Sequence, residues 1–178
     1  MTIQVLDKKF QPYIKAAQIQ EQVNKLAKQI NEDYAGKKPL FIAILNGSFM
    51  FASDLFKELD IEAEICFIKL ASYKGTKSTG NVITSIGLDT SLTGRHIVIV
   101  EDIVDTGKTL YEFLQQLINQ QPASLKIASL LSKPEALIHP IAIDYLGFEV
   151  PNIFLLGYGL DYDGLGRNFK EIYQLVED

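Results

Sequence analysis

Residues 97–109 read IVIVEDIVDTGKT, an apolar run that ends in Glu101, Asp102 and Asp105 and continues directly into Thr106, Gly107, Lys108 and Thr109. Adjacent carboxylates such as Glu101 and Asp102 accept hydrogen bonds from sugar hydroxyls or ligate a divalent cation. A turn that offers backbone amides, a glycine and two hydroxyls suits a phosphate monoester, because glycine lets the anion approach the main chain and the amides donate to it. One Asp at the start of a helix is ordinarily a cap, contributing about 1 kcal/mol. Three acids around one turn exceed what a cap requires.

Two lookalikes fail. Gly107-Lys108-Thr109 has the end of a Walker A loop, but that motif needs a glycine five positions before Gly107, where Asp102 stands. Asp105-Thr106-Gly107 has the letters of an aspartic protease site, which requires a second such contribution and a β-structured body.

The elements that must position these groups are legible from periodicity. LFIAIL at 40–45 is a short continuous apolar run ending in Asn-Gly-Ser, as a strand buried on both faces does when it leaves a sheet by a tight turn. Further apolar runs at 63–70, 97–100, 125–131 and 152–157 predict strands. Ile19, Val23, Leu26 and Ile30 make one stripe of a helix expected over Pro12 to Tyr34, and helices are also expected over 49–59 and from Lys108 to Gln120. This alternation predicts an α/β fold, a mainly parallel sheet flanked by helices. In such folds ligands bind beyond the carboxyl ends of the strands, with helix N-termini facing anions. The polar stretch ASYKGTKSTGNV at 71–82 reads as a mobile surface loop, and the chain ends are expected to form a small hood over the sheet.

The 178 residues suit one domain, 1–178, and 47% hydrophobic with 22% charged residues is ordinary globular composition. A net charge of -5 gives no electrostatic reason to expect nucleic acid or a membrane as partner. Cys66 has no possible intrachain partner, and with no signal-peptide-like or membrane-length apolar stretch the expected location is cytoplasmic. His96 and His139 lack metal-ligand spacing and are read as structural.

VEDIVDTGKTL resembles the phosphoribosyl-diphosphate (PRPP) motif of type I phosphoribosyltransferases, in the version found among hypoxanthine-guanine phosphoribosyltransferases. LNGSFMFASDL at 45–55, ASYKGTKSTG at 71–80, SLLSK at 129–133 and GFEVPNIFLLGYGLDYDGLGRN at 147–168 resemble the same family in the same order. The resemblance implies purine salvage: transfer of the phosphoribosyl group from PRPP to hypoxanthine, and guanine, with release of pyrophosphate and Mg2+ as cofactor. It implies that Asp105 to Thr109 hold the 5'-phosphate, that Glu101 and Asp102 face the ribose hydroxyls and Mg2+, and that Asp105 is the general base toward purine N7. Asn46 and Gly47 then contact pyrophosphate, with a cis peptide expected at Leu45-Asn46; some relatives carry lysine where this chain has Asn46. Arg167 meets pyrophosphate and Asp161 a second Mg2+ beside the purine site. Lys133 reads the purine 6-oxo group, Phe154 stacks on the base and Leu155 meets its edge. Ser72 and Tyr73 belong to a closing lid, and dimers or tetramers are common among such enzymes. Two rival readings accompany it: a nucleotide-sensing regulator that keeps the fold and binds RNA or DNA, and a phosphoribosyltransferase for xanthine or a pyrimidine.

Overall fold

Two short strands, β1 (Ile3–Val5) and β2 (Lys8–Ile14), open the chain and are followed by helix α1 (Ala16–Asp33). The computed structural model describes residues 2–71, 83–84 and 90–176. The helix expected from Pro12 therefore starts four residues later. Phe10 and Ile14 are the buried positions of an extended segment that pairs with a C-terminal strand, and the pairing with β1 stops at Ile3 opposite Phe10, so Pro12 faces no β1 residue across its free side. The helix begins where the Lys15 amide donates to Gln18 Oε1 at 3.0 Å.

Next come β3 (Leu40–Leu45), α2 (Phe49–Lys57), β4 (Glu64–Ala71), β5 (Ile83–Thr84), β6 (His96–Val104), α3 (Lys108–Ile118), β7 (Ser124–Ser132), β8 (Tyr145–Glu149), β9 (Leu155–Leu156) and β10 (Ile172–Leu175). The main sheet has the order β5-β4-β3-β6-β7-β8, parallel except for the antiparallel edge strand β5. Side chains alternate between its faces. Phe41, Ala43, Val98 and Val100 pack with α1 and α2, whereas Ile42, Ile44, Ile97 and Ile99 pack with Leu110, Phe113, Leu114 and Leu117 of α3. Both faces of the central strands are covered, which is why they read as unbroken apolar runs.

The run at 152–157 is not a strand of this sheet. Only Leu155 and Leu156 are extended, and they join β1, β2 and β10 in a separate antiparallel sheet made from both chain ends, around Val5, Phe10 and Leu156. The outermost parallel strand is instead β8, Tyr-Leu-Gly-Phe-Glu, which among the described residues pairs with β7 alone and is partly exposed. The expected loop lies mostly outside the described residues, Ser72 and Tyr73 included; Ala71 is the last residue of β4. Among the described residues no helix is long and apolar enough to cross a membrane.

Candidate active site

The acids occupy the place where β6 parts from β3. The two strands pair from Leu40 with Ile97 to Ala43 with Val100, and Glu101 is the next residue. Val98, Ile99 and Val100 are buried, while Glu101 and Asp102 are half-buried at the strand's carboxyl end. Burial, then the charge of Asp102, pushes Glu101 well above the ordinary carboxylate range. Burial also raises Asp102, against the amides and the Arg167 charge that draw it down. Such a pair gains from a positive partner.

Beyond it the turn encloses a cleft of about 200 Å³ lined by Glu101 and by residues 103–110. Gly107 has φ +75°, and a Cβ there would meet Ile141 Cδ1 at 2.7 Å. Thr106 is held from outside, its carbonyl accepting the Ile138 amide at 3.0 Å. Helix α3 starts at Lys108, and first-turn amides of a helix have no intrahelical acceptor, so the cleft abuts a seat for an anion.

A second wall is built by the loop after β3. The Leu45-Asn46 peptide is cis, and Ser48, fully buried, donates from Oγ to the Ile44 carbonyl at 2.6 Å. Gly47 lies against the acids: a Cβ on it would fall 1.7 Å from Asp102 Oδ2. On its other side Gly159, at φ +100°, approaches so closely that its own Cβ would fall 2.0 Å from the Gly47 carbonyl oxygen. Arg167 completes this wall, donating from Nη1 to the Gly159 carbonyl at 2.7 Å and pairing through Nη2 with Asp161 Oδ1 at 2.7 Å. Asp161 Oδ2 accepts the Gly164 amide at 2.7 Å. Asn46, Gly47, Asp102, Asp161 and Arg167, more than a hundred residues apart in sequence at the extremes, are thus one constellation.

A third group lies along the same strand end. Lys133 is 8% exposed, its amide donating to the Val104 carbonyl at 2.9 Å and its Nζ sitting 3.2 Å from Asp105 Oδ2. Phe154, by contrast, is 43% exposed, with its ring set edge-on to Tyr162 and tilted against Phe10. Leu155 is buried beside it. Two supporting contacts carry no sequence signal, because they join residues far apart in the chain: Tyr162 donates to Asp7 Oδ1 and Tyr158 to Asp54 Oδ2, each at 2.7 Å. His96 Nδ1 lies 2.8 Å from Ser124 Oγ at the opposite end of β6, and His139 stacks on Tyr111. Burial raises the Cys66 thiol, as befits an unreactive side chain.

Glu101 and Asp102 fit a hard cation that takes one or two carboxylates and fills its shell with water and substrate oxygens, the habit of Mg2+. Among the described residues there is no cage of three or more His, Cys, Asp or Glu side chains, so these two carboxylates would leave most of such a shell to water and substrate. Asp161, also expected to serve a metal, has both oxygens engaged by Arg167 and Gly164.

The sequence matches the phosphoribosyl transferase domain family over residues 14–163. A hypoxanthine-guanine-xanthine phosphoribosyltransferase of Tritrichomonas foetus is 42% identical over 160 residues, covering 89% of this chain and 87% of that protein. The hypoxanthine-guanine phosphoribosyltransferase of Lactococcus lactis is 43% identical over 156 residues, 87% of this chain and 85% of its own. In three dimensions the chain superposes on the crystal structure of a hypoxanthine phosphoribosyltransferase from Staphylococcus aureus with a TM-score of 0.88 and 38% identity, over 93% of this chain and 91% of that one. The family match spans most of the chain and the fold is shared with these enzymes, so the chain belongs to the phosphoribosyl transferase domain family.

Proposed function

We propose that this phosphoribosyltransferase salvages purines, joining hypoxanthine or guanine to C1' of PRPP and releasing pyrophosphate to give IMP or GMP. The observation that carries the choice of base is the Lys133–Asp105 pair, 3.2 Å apart beside the phosphate turn. N7 and O6 are neighbours on one edge of a 6-oxopurine. A buried ammonium and a half-exposed carboxylate at this separation match that edge: Lys133 donates to O6 while Asp105 accepts the N7 proton as N9 forms the bond to C1'. Adenine presents an amino donor where O6 would be, which leaves Lys133 without an acceptor and disfavours adenine.

The 5'-phosphate takes the amides and hydroxyls of residues 105–109, and the ribose hydroxyls face Glu101 and Asp102. Their negative charge favours the oxocarbenium-like ring that forms as pyrophosphate departs. Arg167 has five N–H donors, and among the described residues two of them are engaged, by the Gly159 carbonyl and Asp161, so its fork can also meet pyrophosphate oxygens beside Asn46 and Gly47. A divalent cation on Glu101 and Asp102 supplies positive charge to the pyrophosphate oxygens when bound. Phe154 offers an exposed ring face for the base, with Leu155 and Asp161 at its edge. Ser72 and Tyr73, in the segment that follows β4, are suited by sequence to cover the reacting centre against water. A lone cysteine suits work in the reducing cytoplasm.

The relatives are named as enzymes, which leaves a nucleic-acid-binding regulator without support. Xanthine stays in view because the Tritrichomonas foetus protein carries it in its name. The deciding experiment incubates the protein with PRPP, Mg2+ and each base separately and weighs the products. IMP and GMP with stoichiometric pyrophosphate, and no AMP, are expected; a protein that forms no nucleotide from either 6-oxopurine has another function.

A further inference from the structure

We propose that Tyr158 and Asp54 are a positioning pair that sets the Arg167 guanidinium against the Gly47 wall, and so tunes affinity for the diphosphate end of PRPP. The inference rests on the reading above that this wall receives pyrophosphate. Tyr158 stands between Gly157 and Gly159, and all three have positive φ, +98°, +49° and +100° in order. The two glycines adopt this conformation freely; a tyrosine does so at a cost and persists only where its surroundings hold it. Its ring is 5% exposed in the core under α1 and α2, and its hydroxyl donates to Asp54 Oδ2 at 2.7 Å.

Everything downstream of this hold belongs to the wall. The Gly159 amide donates to the Arg167 carbonyl at 2.9 Å, and the Gly159 carbonyl accepts from Arg167 Nη1 at 2.7 Å. The same glycine touches Gly47, which leads through Ser48 into α2, the helix that carries Asp54. Asp54 and Gly47 are therefore fixed to one element and Tyr158 and Arg167 to another, and the 2.7 Å hydrogen bond registers the two. A solvent-open cleft of about 180 Å³ lies beside the pair, lined by Asp54, Tyr158, Gln20, Met50 and Lys170, so this side of the ring is not closed by other side chains.

A bland alternative is that Asp54 only satisfies a buried phenol. Steady-state kinetics separate the two. Tyr158→Phe is expected to raise KM for PRPP about tenfold, within the roughly 10²-fold that a misplacement of about 1 Å can cost, and to weaken product inhibition by pyrophosphate equally. KM for hypoxanthine should stay at its wild-type value, and the thermal midpoint should fall by no more than the loss of one buried hydrogen bond accounts for. In an Arg167→Lys background, where the fork is already gone, the same substitution should change KM for PRPP little. Asp54→Leu, which leaves the tyrosine intact, should reproduce the effect. Asp54→Asn, which keeps an acceptor oxygen, should keep KM for PRPP near wild type, as should Lys57→Met, which removes the ion-pair partner of Asp54. Equal losses for base and PRPP, or the same factor with and without Arg167, in either Tyr158→Phe or Asp54→Leu, would overturn the inference. A wild-type protein that forms no nucleotide would instead refute the function itself.

Discussion

In the proposed reaction Asp105 and Lys133 do opposite jobs at one purine edge, so their substitutions should separate. Asp105→Asn keeps the shape and the turn but removes the proton acceptor, and a general base typically contributes 10² to 10⁴-fold. We expect kcat to fall by about that factor while PRPP affinity changes far less; unchanged turnover would remove Asp105 from its role. Gly47 is a spatial requirement, because a methyl group would collide with Asp102 Oδ2 at 1.7 Å. Gly47→Ala should therefore displace either the acid or the loop, and a misplacement of about 1 Å can cost roughly 10²-fold; near-native kcat/KM for PRPP would contradict the packing described. The acids and the glycine turn stood out in sequence by their chemistry, whereas Lys133, Phe154, Asp161 and Arg167 were singled out only through the family resemblance. Tyr158–Asp54 and Tyr162–Asp7 were not, since 104 and 155 residues separate the partners and no local pattern announces a contact at that distance.

At the scale of elements, legibility followed burial. β3 and β6 have neighbours on both sides and cover on both faces, so their apolar runs marked them well. β8, on the edge, mixes tyrosine, glycine and glutamate and gave no run. Leu155 and Leu156 gave an apolar signal but belong to the small sheet, because hydrophobicity shows that a segment is buried and not against which layer. The start of α1 was misread for a related reason: β2 alternates Phe10 and Ile14 with polar residues, and the pairing with β10 that makes it a strand comes from the far end of the chain. The same packing predicts the cost of damage away from the site. Leu117 of α3 is 1% exposed on the face opposite α1 and α2. Leu117→Ala should lower the unfolding free energy by about 2 to 5 kcal/mol in urea titrations, with kcat close to wild type; a stability loss below about 1 kcal/mol would mean that α3 does not close this core.

For the whole molecule, chemistry and stability are placed at opposite ends of the parallel strands. The carboxyl ends carry the acids, the turn and Lys133, whereas near the amino ends Asp33 Oδ2 accepts hydrogen bonds from Lys126 at 2.9 Å and from the Tyr145 hydroxyl. These two bonds lower the Asp33 pKa from its ordinary 3.8. A carboxyl with a depressed folded value contributes stability that is present above its unfolded value and is lost as pH falls through the folded one. Asp33 is 46% exposed, so the contribution is screened to about 1 kcal/mol or less. Asp33→Asn should lower the thermal midpoint at neutral pH, and its difference from wild type should vanish in acid below the folded Asp33 value; a difference that persists there would show that the bond does not depend on charge. The decisive test of the whole arrangement is a crystal structure with IMP bound. The phosphate is expected on the amides of residues 106–109, with O6 within hydrogen-bonding distance of Lys133 Nζ and N7 of Asp105; a nucleotide lodged elsewhere, or a base turned away from Lys133, would contradict it.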